Sequence, residues 1–161
     1  PELFSLLETH TSFADLKDEL GNIIYRCVDC KRVVVEEDQF DTGSRMLLNF
    51  GHTLAHTIEQ YYHYERESHG EAVGIGMYQL TKLAEEKGLT PDGTSIRIQD
   101  LLTIYGLPSS CGVALGALTE AIALDKKNLN NHLNLILLHG IGDSYIYPAA
   151  LDFFDDTERI V

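Results

Sequence analysis

The sequence predicts a mainly α fold, a multi-helix domain with at most one short β-hairpin. Three observations predict it. Apolar residues recur at helical spacing through most of the chain. The breaks between those stretches carry Gly, Pro, Asp and Ser, the residues that stop helices and make turns. Only one short apolar run, near the C-terminus, reads as a strand.

Taken in order, residues 2–9 suit a short amphipathic helix. Ser12, with Asp15 three places on, has the spacing of a capping box. A helix is expected over 18–37, with Gly21 a weak point inside it. Asp41-Thr42-Gly43-Ser44 is a turn and cap cluster, and a long helix should follow from Ser44 to Tyr64. After the polar connector Glu65–Ser68, another helix should run from His69 to Lys87, closed by Gly88. Thr90-Pro91-Asp92-Gly93 is a turn, and residues 95–105 form a helix closed by Gly106, with Pro108 beyond. A further helix is expected over 115–127. The apolar run His132–His139 and Tyr145–Tyr147 can pair as a hairpin across Gly140–Asp143. Leu151–Ile160 is expected as a last short helix.

The 161 residues fit a single domain with a real core. Acids outnumber bases 25 to 12, a formal net charge of −13. That balance argues against nucleic acid or an anionic membrane surface as the main partner, but not against a small anion held by a local cluster of bases. The chain opens without a basic start or long apolar run, and the stretch around Leu135–Leu138 is far too short to span a bilayer. Cytoplasmic placement is the expectation. Three cysteines are too few for a disulfide framework. Cys27 and Cys30 form a CxxC that would share one helix face; with no second pair, both are expected to be buried or incidental. Gly70 and Gly74 form a GxxxG, expected to mark close helix packing.

The chemistry concentrates on the helix expected over 44–64. At about 100° per residue, Arg45, Asn49, His52 and His56 fall within about one-sixth of its circumference. Leu47, Phe50, Leu54, Ile58 and Tyr61 fill the opposite side, so the apolar face is complete without the histidines. A solvated face is usually Lys and Glu, which are cheap to hydrate and favour helix. Arg, Asn and two His beside a helix-weakening Gly51 point instead to a site. His52 and His56 at i, i+4 can address one ion, although Thr53 stands where a zincin motif has its glutamate. His69 opens the next helix, which can bring a third imidazole to the pair; neutral imidazoles suit zinc and related divalent ions.

These residues resemble those of a known family. The run Lys31-Arg32-Val33-Val34-Val35-Glu36-Glu37-Asp38, then Gly43, Arg45, Leu48-Asn49-Phe50-Gly51-His52-Thr53, His56, Glu59 and His69-Gly70-Glu71-Ala72-Val73-Gly74-Ile75-Gly76-Met77 closely resembles 3-dehydroquinate synthase. Gly106-Leu107-Pro108, Asp125-Lys126-Lys127 and Ile141-Gly142 fit the same pattern, so the resemblance covers nearly the whole chain. It implies a two-domain carbon–oxygen lyase of the shikimate pathway. An N-terminal Rossmann-like domain binds NAD, and a helical C-terminal domain carries much of the metal and substrate site. The substrate is a small phosphorylated keto-acid sugar, 3-deoxy-D-arabino-heptulosonate 7-phosphate, and the product is 3-dehydroquinate.

Position by position, the resemblance makes His52 and His69 two of three ligands to zinc or another divalent metal such as cobalt. The third would be a glutamate upstream of these residues. Asn49 and His56 become phosphate-site residues. Lys31 and Arg45 become contacts to substrate hydroxyl or carboxylate. Either Lys126 or Lys127 becomes a phosphate contact, where spacing alone would have read two bases complementing a helix C-terminus. Ala55 and Thr57 depart from the family pattern, which commonly has Gly and Ala there, and Asp41 stands where Glu is usual. The sequence has no Gly-rich nucleotide-binding turn. The expectation is therefore an isolated C-terminal domain, inactive alone, whose partners are its own N-terminal domain and a second copy in a homodimer. Three other readings remain: a different sugar-phosphate cyclase, a metal-dependent polyol dehydrogenase with a similar His…His-Gly pattern, and a non-catalytic helical module. Lys31, Arg45, Asn49 and Lys126–Lys127 favour a phosphorylated anionic substrate over a simple alcohol.

Overall fold

The computed structural model describes residues 1–40, 43–128 and 133–161, with the side chains at 120 and 123–128 outside that description. Six α-helices and one antiparallel hairpin make up its regular elements: α1 Glu2–Glu8, α2 Leu20–Glu37, α3 His52–Tyr61, α4 His69–Glu86, α5 Thr94–Ile104, α6 Leu115–Asn128, β1 Leu133–Gly140 and β2 Asp143–Ala149. Short 3-10 turns lie at Ala14–Leu16, Ser44–Asn49 and Leu151–Phe154. The mainly α class and the single hairpin agree with the sequence reading. The Asp41-Thr42 part of the expected turn, and His132, lie outside the described residues.

Helix α4 is the centre of the packing. Ala72, Ile75, Leu80, Leu83 and Ala84 are buried on it, in one core with Leu54, Ala55 and Ile58 of α3, Leu115, Leu118 and Ile122 of α6, and Leu133, Leu135 and Leu137 of β1. A smaller cluster joins Tyr78 of α4 to Ile98 and Leu102 of α5 and Leu138 of β1. The punctuation that predicted the helix ends does that work: Gly88, Gly93 and Gly106 all adopt positive φ. The hairpin pairs Leu135 with Tyr147 and Ile136 with Ile146, with an irregularity between Leu138 and Gly140. His139 falls at that irregularity and stacks on Tyr145, ring centroids 4.1 Å apart.

Several expectations need correction, in whole or in part. The helix expected from Ser44 to Tyr64 is two elements. The first is the 3-10 turn Ser44–Asn49. Phe50 then becomes extended (φ −55°, ψ 126°), Gly51 turns left-handed (φ 80°), and α3 starts at His52. Helical spacing is blind to such a break, because each half keeps an apolar side. The terminal segment is a 3-10 turn over Leu151–Phe154, not a helix to Ile160. Phe153 and Phe154 are both buried there, and adjacent residues cannot share one face of an α-helix. Beyond it, Ile160 bridges to Ala114, and the Val161 carbonyl accepts from the Cys111 and Gly112 amides. In the GxxxG, Gly70 faces open space, whereas Gly74 lies against Leu102. Lastly, Cys27 and Cys30 are exposed, because α2 buries none of its residues. Ser12 does accept from the Asp15 amide, but the Asp15 carboxylate returns to Thr11 rather than to Ser12.

Candidate metal and anion site

Two glycines bring the site-bearing helices together. Gly51 needs its left-handed φ, and a Cβ there would sit 2.8 Å from the Met77 amide nitrogen and the Val73 carbonyl oxygen of α4. Facing it, a Cβ on Gly76 would meet the Gly51 carbonyl oxygen at 2.1 Å. Backbone therefore packs on backbone where α3 begins. Ala55 donates its amide to Gly51 and is fully buried, and the Thr57 hydroxyl, buried beside it, donates to the Leu54 carbonyl at 2.8 Å. Ala55 is thus accommodated in the α3–α4 contact, and Thr57 is buried on α3 with its hydroxyl satisfied within the helix.

Helix α4 is fixed at its own start. Ser68 accepts from the Glu71 amide while the Glu71 carboxylate accepts from the Ser68 amide at 2.8 Å and hydroxyl at 2.7 Å. Those donors, the Ser68 hydroxyl first, hold the Glu71 carboxyl below the usual glutamate range. This capping box places His69 as the first residue of α4.

The result is a cluster of three imidazoles. Ring centroids lie 5.3 Å apart for His52 and His69, 5.6 Å for His52 and His56, and 6.3 Å for His56 and His69. His52 is half-buried; His56 and His69 are exposed. The neighbours of the two rings fix which nitrogen carries the proton. His52 Nδ1 lies 3.2 Å from the Phe50 carbonyl oxygen, and His69 Nδ1 lies 3.0 Å from Oε1 of Glu59. A carbonyl and an ionised carboxylate only accept, so in each neutral ring Nδ1 bears the hydrogen and Nε2 keeps its lone pair. Imidazole Nε2 is a donor suited to zinc or cobalt. Among the described residues no group of three or more His, Cys, Asp or Glu side chains is arranged to hold an ion.

The other sequence-predicted residues fall as follows. Arg45 and Asn49 are carried by the 3-10 turn, so the single-helix stripe joining them to the histidines does not exist. That turn is tied to the end of α2: the Asp38 carboxylate accepts from the amides of Gly43 at 2.7 Å and Arg45 at 3.1 Å, and the Arg45 guanidinium donates to the Gln39 carbonyl at 3.2 Å. Lys31 is exposed on α2. Lys126 and Lys127 lie in the last turn of α6, and their side chains are outside the described residues. Sequence reasoning passed over Glu59 as a functional residue. The signal was its seven-residue spacing from His52, which returns it to the same helix face.

The family profile described as 3-dehydroquinate synthase C-terminal matches residues 1–128. The chain belongs to that family. Two strains of Clostridium perfringens have proteins named 3-dehydroquinate synthase that are 54% and 55% identical to it over 155 residues, 96% of this chain. A Streptococcus pneumoniae protein of the same name is 39% identical over 158 residues, 97% of the chain. The chain spans 44% of the length of each of these relatives. Among solved structures, 2-epi-5-epi-valiolone synthase from Streptomyces hygroscopicus, with NAD+ and Zn2+ bound, superposes with a TM-score of 0.82 at 25% identity, over 96% of this chain and 44% of that one. A 2-deoxy-scyllo-inosose synthase complexed with carbaglucose-6-phosphate, NAD+ and Co2+ gives 0.72 at 25% identity, over 88% and 41%.

Proposed function

We propose that this chain forms the metal- and anion-binding wall of a 3-dehydroquinate synthase of the shikimate pathway. In this reading it acts on 3-deoxy-D-arabino-heptulosonate 7-phosphate in the cytoplasm, with loss of phosphate. The observation that carries the reading is the meeting of His52, His56 and His69 where α3 and α4 begin, with the Nε2 lone pairs of His52 and His69 free. His52 and His69 would hold a zinc or cobalt ion, together with a glutamate from the remainder of a longer chain. Bound there, the metal would acidify a substrate hydroxyl and polarise the ketone made from it. Two structural neighbours solved with NAD+ and Zn2+ or Co2+ bound support that pairing of cofactors. NAD would be held mainly by an N-terminal domain.

The protein's own groups would orient and neutralise the anion. Arg45 pairs with a carboxylate through its planar fork, and Lys31 acts as a point charge on hydroxyl or carboxylate. Asn49, His56 and one of Lys126 and Lys127 would donate to the phosphate. Phosphate elimination develops negative charge, and fixed donors stabilise it. In this reading the enzyme works as a homodimer, and these 161 residues alone have no synthase activity.

Zinc titration into the chain and into a His52→Ala, His69→Ala double variant tests the metal assignment; equal affinity would sink it. Phosphate release with NAD, metal and the keto-acid sugar phosphate tests the domain assignment, since robust turnover by this chain alone would refute it. A second reading, another sugar-phosphate cyclase, is favoured by the superposition on 2-epi-5-epi-valiolone synthase. Full-length protein that releases phosphate from a non-acidic sugar phosphate, and not from the keto acid, would decide for that cyclase.

A further inference from the structure

We infer that Glu59 is the positioning residue of this site, holding His69 in the tautomer and orientation that a metal requires. The inference rests on the proposed metal reading and deepens it. Glu59 stands on α3 and His69 opens α4, so their 3.0 Å hydrogen bond ties together the two helices that carry the proposed ligands. The Glu59 side chain is only 10% exposed, whereas His69 is 58% exposed. The carboxylate is therefore the fixed partner and the imidazole the one being held. Burying a carboxylate carries a large desolvation cost unless it is hydrogen-bonded, and the Nδ1–H of His69 supplies a partner for it.

The two proposed ligands are oriented by different means. His52 is held by the Phe50 carbonyl, which belongs to the extended step before Gly51 and is fixed by the backbone. His69 has no such carbonyl and depends on a side chain. A free neutral imidazole prefers its proton on Nε2, which would block the ligating nitrogen. An acceptor on Nδ1 reverses that preference and makes Nε2 more basic, as carboxylates do behind metal-bound histidines in general.

The test uses the whole chain labelled with 15N-histidine, without metal, at mildly alkaline pH. Long-range proton–nitrogen spectra should show Nδ1–H on both His52 and His69 in the wild type. In Glu59→Ala, His69 should move toward the Nε2–H form while His52 stays unchanged. Glu59→Gln, whose amide oxygen can still accept, should restore much of the wild-type pattern. Zinc affinity, measured by competition with a chromophoric chelator, should fall about 10–100-fold in Glu59→Ala and recover in part in Glu59→Gln. The unchanged His52 signal and the Gln variant separate loss of positioning from loss of fold. A His69 tautomer that persists in Glu59→Ala, or zinc affinity equal to wild type, would overturn the inference. Zinc binding absent from the wild type is a different result: it removes the metal reading itself, and the metal role of Glu59 with it.

Discussion

Gly76 of α4 backs onto Gly51 at the head of α3 so closely that a methyl group on Gly76 would lie 2.1 Å from the Gly51 carbonyl oxygen. No side chain can yield there, because the obstacle is backbone. Gly76→Ala should force α3 and α4 apart, destabilising the chain by about 1–3 kcal/mol or more. It should also widen the separation of His52 and His69. Urea unfolding checks the first, and the zinc affinity of the surviving folded protein checks the second. Gly74→Ala, whose Cβ would meet the end of the Leu102 side chain at 3.0 Å, should be milder. Equal losses for the two variants would contradict the backbone-contact account.

Ser68 and Glu71 set where α4 begins, and so where His69 points. Ser68→Ala removes the acceptor for the Glu71 amide and one donor to its carboxylate. A loss of about 1 kcal/mol is expected by thermal or denaturant unfolding. Ser68→Asp keeps a capping acceptor but sets it against Glu71, and should rescue less than Ser68→Thr. Full recovery by Asp would show that the reciprocal bond to Glu71 contributes nothing.

Acids held below their ordinary range set the direction of the pH dependence, Asp15 through the Thr11 hydroxyl among them. Hydrogen bonds hold Glu8 below its ordinary range through Arg97, Glu71 through Ser68, and Asp155 through Lys87. A carboxyl whose folded pKa is depressed adds stability that is fully present above its unfolded value. That stability is lost as pH falls through the folded value. Stability should therefore hold above the ordinary carboxylate range of about 4–4.5 and decline below it. Glu8 accepts from both Nε (2.9 Å) and Nη2 (2.7 Å) of Arg97 and so joins α1 to α5. Glu8→Gln should flatten part of the acid limb in urea titrations at a series of pH values. An unchanged limb would exclude this pair as a contributor.

Much of this was legible in the chain, for identifiable reasons. Gly88, Gly93 and Gly106 take left-handed φ, so they marked real ends. The three histidines stood out because imidazole is an uncommon choice for a solvated helix face. The break at Phe50 and Gly51 was hidden because the periodicity of side chains carries no information on a single extended residue. The fate of α2 was hidden because an amphipathic pattern says that a face is apolar, not that anything covers it: Ile24, Tyr25 and Val28 are exposed. Glu59 was overlooked because its role depends on α4 folding back over α3. One helix cannot reveal that.

The cysteines give a prediction that is independent of the site. Cys27 and Cys30 lie exposed on α2, while Cys111 is buried with its Sγ donating to the Val161 carbonyl at 3.2 Å. Burial pushes the Cys111 thiol up, which leaves little of the reactive thiolate at neutral pH. A thiol reagent added to folded protein should label Cys27 and Cys30 quickly and Cys111 only as the chain unfolds. Peptide mapping by mass spectrometry reads the three sites separately. Because Val161 also donates its amide to Val113 and accepts from Cys111 and Gly112, release of the terminal segment should expose Cys111 before global unfolding. Deleting Ile160 and Val161 should then speed labelling of Cys111 at denaturant concentrations too low to unfold α4. Labelling of Cys111 at the wild-type rate in that variant would mean that the rest of the core, not the terminal segment, protects the thiol.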